Sequence, residues 1–409
     1  MAASLFRVTR SPSPSPPAVA LMPSRLRVVI VQPSLAKYRA PVYRELARRD
    51  GIDLKVWYGD EAAITNVEPQ GFTAKLKPMT IRHVLGQEVR WHAAQIEAAK
   101  QADADVLLLS WGPRYLSLPV AMRAAKRRGL PTVLWGHGYS KSETPVRKWL
   151  RDRIAKNATT LLFYDQATAD DAVAAGWPQN QIYFAPNAID QFPIETAAAE
   201  WRAAPARLTS FATENGLADA EPIIFVSRLY AENRVDLLLQ AIAELQQRRP
   251  RLVLIIVGDG PARDDLAQQA SELGIGDRVK MLGAIFDESE LAPWMLLSRL
   301  FVYPSNIGLS LLHAFGYALP VVTSSDRTVQ NPEIVALNDG VNGRLVPPDN
   351  ANALADTIDS LLSDEPKLAA MSAAALQTVR ETYSMPAMVD GMEAAIRGAA
   401  LRSRRSKLS

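Results

Sequence analysis

Two arginines open the chemical reading. FVSRLYAENR puts Arg228 directly after an apolar run, and Arg234 follows six residues later, just before an amphipathic stretch. Guanidinium groups so placed can grip a diphosphate through charge-assisted hydrogen bonds worth about 1.5–3 kcal/mol each. The plain alternative is a surface Arg228 paired with Glu232. FVYPSNIGLSLLHAFGYALPVV is the sharpest segment. An apolar run ends at Pro304, and the pattern predicts a helix from about Gly308. The amides of Gly308, Leu309 and Ser310 then have no helical acceptor, and such amides favour a phosphate. Gly308 lets the phosphate come close to the backbone. An ordinary strand–loop–helix connection is the alternative. In WGHGYS, His137 stands between Gly136 and Gly138 after another apolar run. An imidazole there can donate to a sugar hydroxyl or a phosphate, although a lone histidine is usually structural.

Other motifs exclude more than they suggest. Gly258 and Gly260 in VGDGPARDDL form a fragment of a dinucleotide fingerprint. Pro261 breaks the spacing toward a third glycine, so a tight turn fits better than NAD binding. Asp103-Ala-Asp105 is an Asp-x-Asp, a pattern that can hold a metal–diphosphate. It precedes an apolar run and so reads as a solvated turn at the wrong end of a sheet. No cluster has metal-ligand spacing, and no serine elbow or Walker loop is present. No metal or cofactor is expected. The chain has no cysteine, which excludes disulfides, thiolate metal sites and cysteine nucleophiles. That fits a cytoplasmic protein. VRKWLRDRIAK (146–156) is basic and amphipathic, with Val146, Trp149, Leu150 and Ile154 on one face. It is either a segment lying on an anionic membrane, at the inner face, or a core helix with a solvated side.

The elements that must position these residues alternate along 409 residues. Short Val/Ile/Leu runs such as LRVVIVQ (26–32), DVLLLSW, LVLIIVGDG and LFVYPS read as buried parallel strands, with helical patterns between them. The pattern weakens between Gln191 and Pro222 and restarts cleanly after it. The expected organisation is a tail at 1–25 and a Rossmann-like domain at 26–195. A linker at 196–222 follows, then a second Rossmann-like domain at 223–384. A C-terminal helix with a frayed basic tail closes the chain at 385–409. Ligands of such sheets bind at the carboxyl ends of the strands. The Ser/Pro-rich start reads as a disordered tail, or as sequence ahead of a true start at Met22; a transit peptide is a third reading. A net charge of +3 and a pI of about 9.0 suit an anionic small molecule or membrane surface and fall short of a nucleic-acid binder.

With these pieces in place, the chain resembles the retaining glycosyltransferases of family 4, which have the GT-B fold. The resemblance runs from about Leu26 to the final helix. It rests on YRAPVYREL, VLWGHG, APNAID, FVSRLYAENRVDLLLQAI, VGDGPARDDL, DRVKMLGAI, the 304–322 segment and PEIVALNDGVNGRLVPPDN, in order and spacing. It implies a nucleotide-sugar donor in the C-terminal domain and a saccharide or lipid-linked acceptor in the N-terminal one. It also implies metal-independent transfer with retention. Arg228 falls on the family's diphosphate arginine and His137 on its histidine near the reacting sugar. The partner lysine falls on Asn233, so that cation is missing; Asn233 and Arg234 are both expected at the diphosphate, with Arg234 standing in for the lysine. The family's two glutamates fall on Ser305 and His313, so both carboxylates are absent.

The expected mechanism follows. Arg228, with Arg234 and the Gly308–Ser310 amides, stabilises charge growing on the leaving diphosphate. The acceptor hydroxyl attacks from the same face. Ser305, Asn306 and His313 are expected at the donor sugar and ribose, and His137 at the sugar. The rivals are a non-catalytic nucleotide-sugar binder, a GT-B epimerase and a dehydrogenase.

Overall fold

The computed structural model describes residues 25–61, 65–84, 87–112, 114–138 and 144–408. The expected tail and the Met22 start lie outside them. In chain order the strands of the first half are β1 (Leu26–Gln32), β2 (Ile52–Tyr58), β3 (Thr73–Leu76), β4 (Thr80–Val84), β5 (Gln87–Trp91), β6 (Val106–Ser110), β7 (Thr132–Trp135), β8 (Thr160–Phe163) and β9 (Ile182–Phe184). Those of the second half are β10 (Glu221–Val226), β11 (Leu252–Val257), β12 (Val279–Gly283), β13 (Leu300–Val302), β14 (Val321–Ser324) and β15 (Gly343–Val346).

Seven strands form a parallel sheet in the order β3-β2-β1-β6-β7-β8-β9. Six form a second in the order β12-β11-β10-β13-β14-β15. Both are doubly wound: the order reverses between β1 and β6 in one sheet and between β10 and β13 in the other. Those two points are where such sheets open a crevice for ligands. The expected fold class, two Rossmann-like halves, is the observed one. β4 and β5 form a separate antiparallel hairpin that the sequence pattern did not announce. Its β4 burial pattern is almost wholly exposed, so no apolar alternation marks it.

The boundaries differ from expectation at two places. Residues 196–222 are not a linker. Helices Phe192–Arg202 and Pro205–Glu214 fill much of that stretch, and Ile194, Trp201 and Ala212 are buried in the core of the second half. The Ala-rich sequence hides this, because small side chains carry little apolar signal yet allow close helix packing. The expected C-terminal helix is present, but it runs from Met385 to Leu408 and takes in the basic stretch expected to fray, and it returns to the first half. Met388, Val389, Met392 and Ile396 sit in the first core beside Val28, Ile30 and Tyr43. The polypeptide therefore crosses between the halves twice, near Ala188 and again between Val379 and Met388.

Candidate active site

The loop after β10 is shaped by backbone packing against the end of β11. A Cβ on Gly258 would stand 1.8 Å from Ser227 O, and one on Gly260 would stand 2.4 Å from Leu229 O. The two glycines thus serve this close approach, with Leu229 N donating to Asp259 O at 3.0 Å. The approach fixes the loop from which Arg228 projects. Arg228 is exposed, and no carboxylate pairs with it among the described residues. The Glu232 pairing weighed from sequence is not formed. Asn233 is buried, and its Nδ2 donates to Arg228 O at 2.5 Å. Its side chain braces the loop.

Arg234 takes a different direction. Its backbone is left-handed, with φ of 54°. Its Nε donates to Asp236 at 3.0 Å, and its Nη1 pairs with Asp349. It lines a pocket of about 470 Å³ together with Ser305, Asn306, Asp326 and Asp349, at the carboxyl ends of β13, β14 and β15. The structure thus groups Arg234 with Ser305 and Asn306, and two carboxylates already claim its charge.

β13 lies beside β10, and Tyr303 Oη donates to Ser227 Oγ at 3.1 Å, so the two strand ends are tied. The helix after β13 starts at Ser310, two residues later than expected, with Leu309 at its N-cap. The amides of Gly308, Leu309 and Ser310 find no protein acceptor among the described residues. Asn331 Nδ2 donates to Asn306 O at 3.0 Å and holds this loop.

His313 sits one turn further. Its Nε2 donates to Glu288 Oε1 at 2.9 Å, and Tyr317 Oη donates to the same oxygen at 2.6 Å. Burial alone would raise the Glu288 carboxyl, but His313, Tyr317 and Lys37 together hold it below its ordinary value. Glu288 is therefore an ionised, half-buried carboxylate whose Oε2 takes no protein donor among the described residues. Lys37 belongs to the first half and follows β1, so the carboxyl ends of the two sheets face each other here.

The opposite wall carries His137. Gly136 and Gly138 constrain its turn: a Cβ on Gly136 would meet Trp111 O at 2.6 Å, and Gly138 has φ of +69°. His137 is exposed and packs on Tyr164 with ring centres 4.5 Å apart. Asn187, in the first half, donates through Nδ2 to Glu333 Oε1 of the second half. Both are buried, at 7% and 6% exposure, and Glu333 Oε2 stands 3.6 Å from where a Cβ on Gly308 would lie. Asn187 lies in APNAID and Glu333 in PEIVALNDG, and nothing local in either motif marks the residue for the site. Glu288 is likewise unmarked. Only contacts between distant segments single them out.

Asp103 and Asp105 pair with Arg27 at the amino ends of β6 and β1, remote from this cleft, as their position before a strand predicted. Among the described residues no three His, Asp or Glu groups converge as a metal site.

The architecture is that of the GT-B glycosyltransferases. HepE of Anabaena, solved in complex with UDP, matches over 90% of this chain and 98% of its own, with a TM-score of 0.68 at 18% identity. The sequence goes further. A family model described as glycosyl transferases group 1 matches residues 220–364. The alpha-D-kanosaminyltransferase of Streptomyces kanamyceticus is 30% identical over 286 residues, covering 68% of this chain and 70% of that protein. A GDP-mannose-dependent phosphatidylinositol monomannoside mannosyltransferase of Mycolicibacterium smegmatis is 29% identical over 275 residues, covering 64% and 68%. The chain belongs to the group 1 glycosyltransferases.

Proposed function

We propose that this enzyme moves a sugar from a nucleoside-diphosphate donor to a saccharide or lipid-linked acceptor, with retention and without a metal. One observation carries the reading. At the switch point of the second sheet, an arginine with no carboxylate partner among the described residues stands on the strand end tied to β13, and the loop after β13 leaves three amides with no acceptor among them. Arg228 and the Gly308–Ser310 amides together suit a diphosphate, and they stabilise it most as charge grows on the leaving oxygen. The leaving oxygen can take the acceptor's proton, so no protein nucleophile is needed.

His313 and the free oxygen of Glu288 suit the ribose hydroxyls, and His137 suits the reacting sugar. Ser305 and Asn306 line the neighbouring pocket, where donor sugar hydroxyls have room. The donor class is supported by relatives: HepE was solved with UDP and with UDP-glucose, and the mannosyltransferase is named for GDP-mannose. The setting we propose is synthesis of a surface polysaccharide or glycoconjugate in the cytoplasm, at the inner face of the membrane.

A thermal-shift screen of nucleotide sugars tests the donor. A ligand at 100 times its dissociation constant adds about 2.7 kcal/mol of stability. Donor turnover with an acceptor, read by NMR of the product's anomeric carbon, then tests transfer and retention. Donor consumed without any acceptor would indicate an epimerase instead. Turnover lost in chelator and restored by magnesium would overturn metal independence.

A further inference from the structure

Arg39 is the arginine that the donor site does not use. It precedes the helix Ala40–Ala47, in the loop after β1. It is only 9% exposed. Its guanidinium carbon lies 4.7 Å from the ring centre of Trp135, 5.2 Å from Tyr38 and 5.4 Å from Tyr164. Such rings hold the faces of the cation but take none of its in-plane N–H groups. Its one hydrogen bond among the described residues is from Nη1 to Met388 Sδ at 3.6 Å, and a thioether is a weak acceptor.

Other arginines with little exposure are treated differently. Arg90 pairs with Glu61 and Glu88, Arg151 with Asp152, and Arg249 with Glu221 and Asp359. Arg39 has no carboxylate at ion-pair distance among the described residues. An arginine buried without one is costly and needs an explanation. Nor are its donors sealed off. The Arg39 nitrogens are not among the unpaired atoms wholly shut from solvent, whereas Tyr43 Oη and Trp135 Nε1 on neighbouring side chains are.

Its packing partners reach the cleft. Tyr164, which stacks on Arg39, also packs against His137. Burial opposes the Arg39 charge, and the Glu333 carboxylate, which belongs to the facing half, favours it. The diphosphate of a donor already has Arg228 and three free amides on that facing half. A second dry cation on the first half answers a different anion.

We propose that Arg39 anchors an oxyanion of the acceptor, so that the acceptor carries a phosphate or carboxylate near the hydroxyl that receives the sugar. The aromatic faces keep the guanidinium plane fixed, and its free edge takes two oxygens side by side. A neutral saccharide would leave that edge unpaired, which selects against it. The word acceptor rests on the transferase reading above; the anion site itself does not.

The test titrates inorganic phosphate and, separately, acetate into the protein, with and without the nucleoside diphosphate that stabilises it most. Wild type is expected to bind one or both in either state, and the tighter of the two tells phosphate from carboxylate. Arg39→Met should weaken that binding about 10- to 100-fold, the equivalent of one charge-assisted contact. Arg39→Lys should fall between and serves if the Met variant does not fold. Nucleoside diphosphate affinity should stay unchanged in both. Phosphate and acetate binding that is absent in wild type, or equal in a folded variant, overturns the proposal. So does an equal loss of nucleoside diphosphate affinity, which would assign Arg39 to the donor. If no nucleotide binds at all, the transferase reading fails, while the phosphate titration still decides Arg39.

Discussion

Arg228 and Arg234 are six residues apart, and their neighbours give them different work. Arg234 is held by Asp236 and Asp349, so a phosphate would have to compete with two carboxylates. Arg228 has no such competitor among the described residues, and its loop is braced by Asn233. Removing Arg228 should therefore cost transition-state stabilisation more than ground-state binding. One lost charge-assisted contact in a dry cleft is worth about 2.7–4 kcal/mol, so Arg228→Ala should lower turnover about 100- to 1000-fold. Arg228→Lys should recover part, since an ammonium cannot grip two oxygens at once. Steady-state kinetics with circular dichroism as the folding control decide this, and near-normal turnover in a folded Ala variant would move the site. Glu288 gives a pH test at the same scale. Its folded carboxyl lies below the ordinary 4.5, so its contribution to stability is complete above that value and is lost as pH falls through the lower, folded one. Glu288→Gln should melt below wild type near neutrality, and the gap should close as pH falls below the ordinary carboxyl value and through the lower, folded one. A gap independent of pH would mean that the His313 and Tyr317 contacts do not involve an ionised Glu288.

At the scale of elements, the C-terminal helix has the largest consequence. Met388, Val389, Met392 and Ile396 are each 0% exposed, yet they lie in the core of the first half, more than 200 residues from its strands. Each fully buried aliphatic side chain contributes about 1.5–3 kcal/mol, so four of them rival the ~5–15 kcal/mol net stability of a whole domain. A chain stopped after Ser384 should leave the first half unfolded, seen as aggregation or strong binding of an apolar dye. Normal soluble yield with no dye binding would show that the helix is dispensable. The sequence showed this segment to be helical but not where it docks, because periodicity reports an apolar face without naming its partner. The same limit explains the rest. Strands such as LRVVIVQ and LVLIIV are legible because both sheet faces are covered and the residues run apolar without a break. The β4–β5 hairpin is open to solvent and carries no such run. Arg228 and the 308–310 amides were legible because local geometry, a strand end followed by a loop, defines them. Glu288, Asn187, Glu333 and Arg39 acquire meaning only from residues far off in the chain, so no local pattern could mark them.

For the whole molecule, the remaining question is where the cleft meets its acceptor. Helix Pro145–Ala155 belongs to the first half and packs through Ile154, Ala155 and Arg151. The sequence left its apolar face open to two readings, and the structure divides that face. Ile154 is core, whereas Val146 is 72% exposed and Trp149 60% exposed. Arg147, Lys148 and Arg153 share the segment, with the Arg153 guanidinium 5.4 Å from the Trp149 ring centre. Exposed aromatic and aliphatic groups among basic residues are the composition of an interfacial anchor. Among the described residues no helix is long and apolar enough to cross a membrane, so any attachment through them would be peripheral. Each basic residue near an anionic surface adds about 1 kcal/mol, and that part must weaken as salt shortens the screening length from about 10 Å at 0.1 M to about 3 Å at 1 M. The protein should therefore sediment with vesicles rich in anionic lipid at low salt and leave them at high salt. It should ignore purely zwitterionic vesicles under both conditions. Trp149→Glu should abolish sedimentation while leaving the fold and donor binding intact, because its ring is outside the core. Equal partition to neutral and anionic vesicles at low salt, or a Trp149→Glu variant that binds like wild type, would remove this helix from the membrane and leave the acceptor to be met in solution.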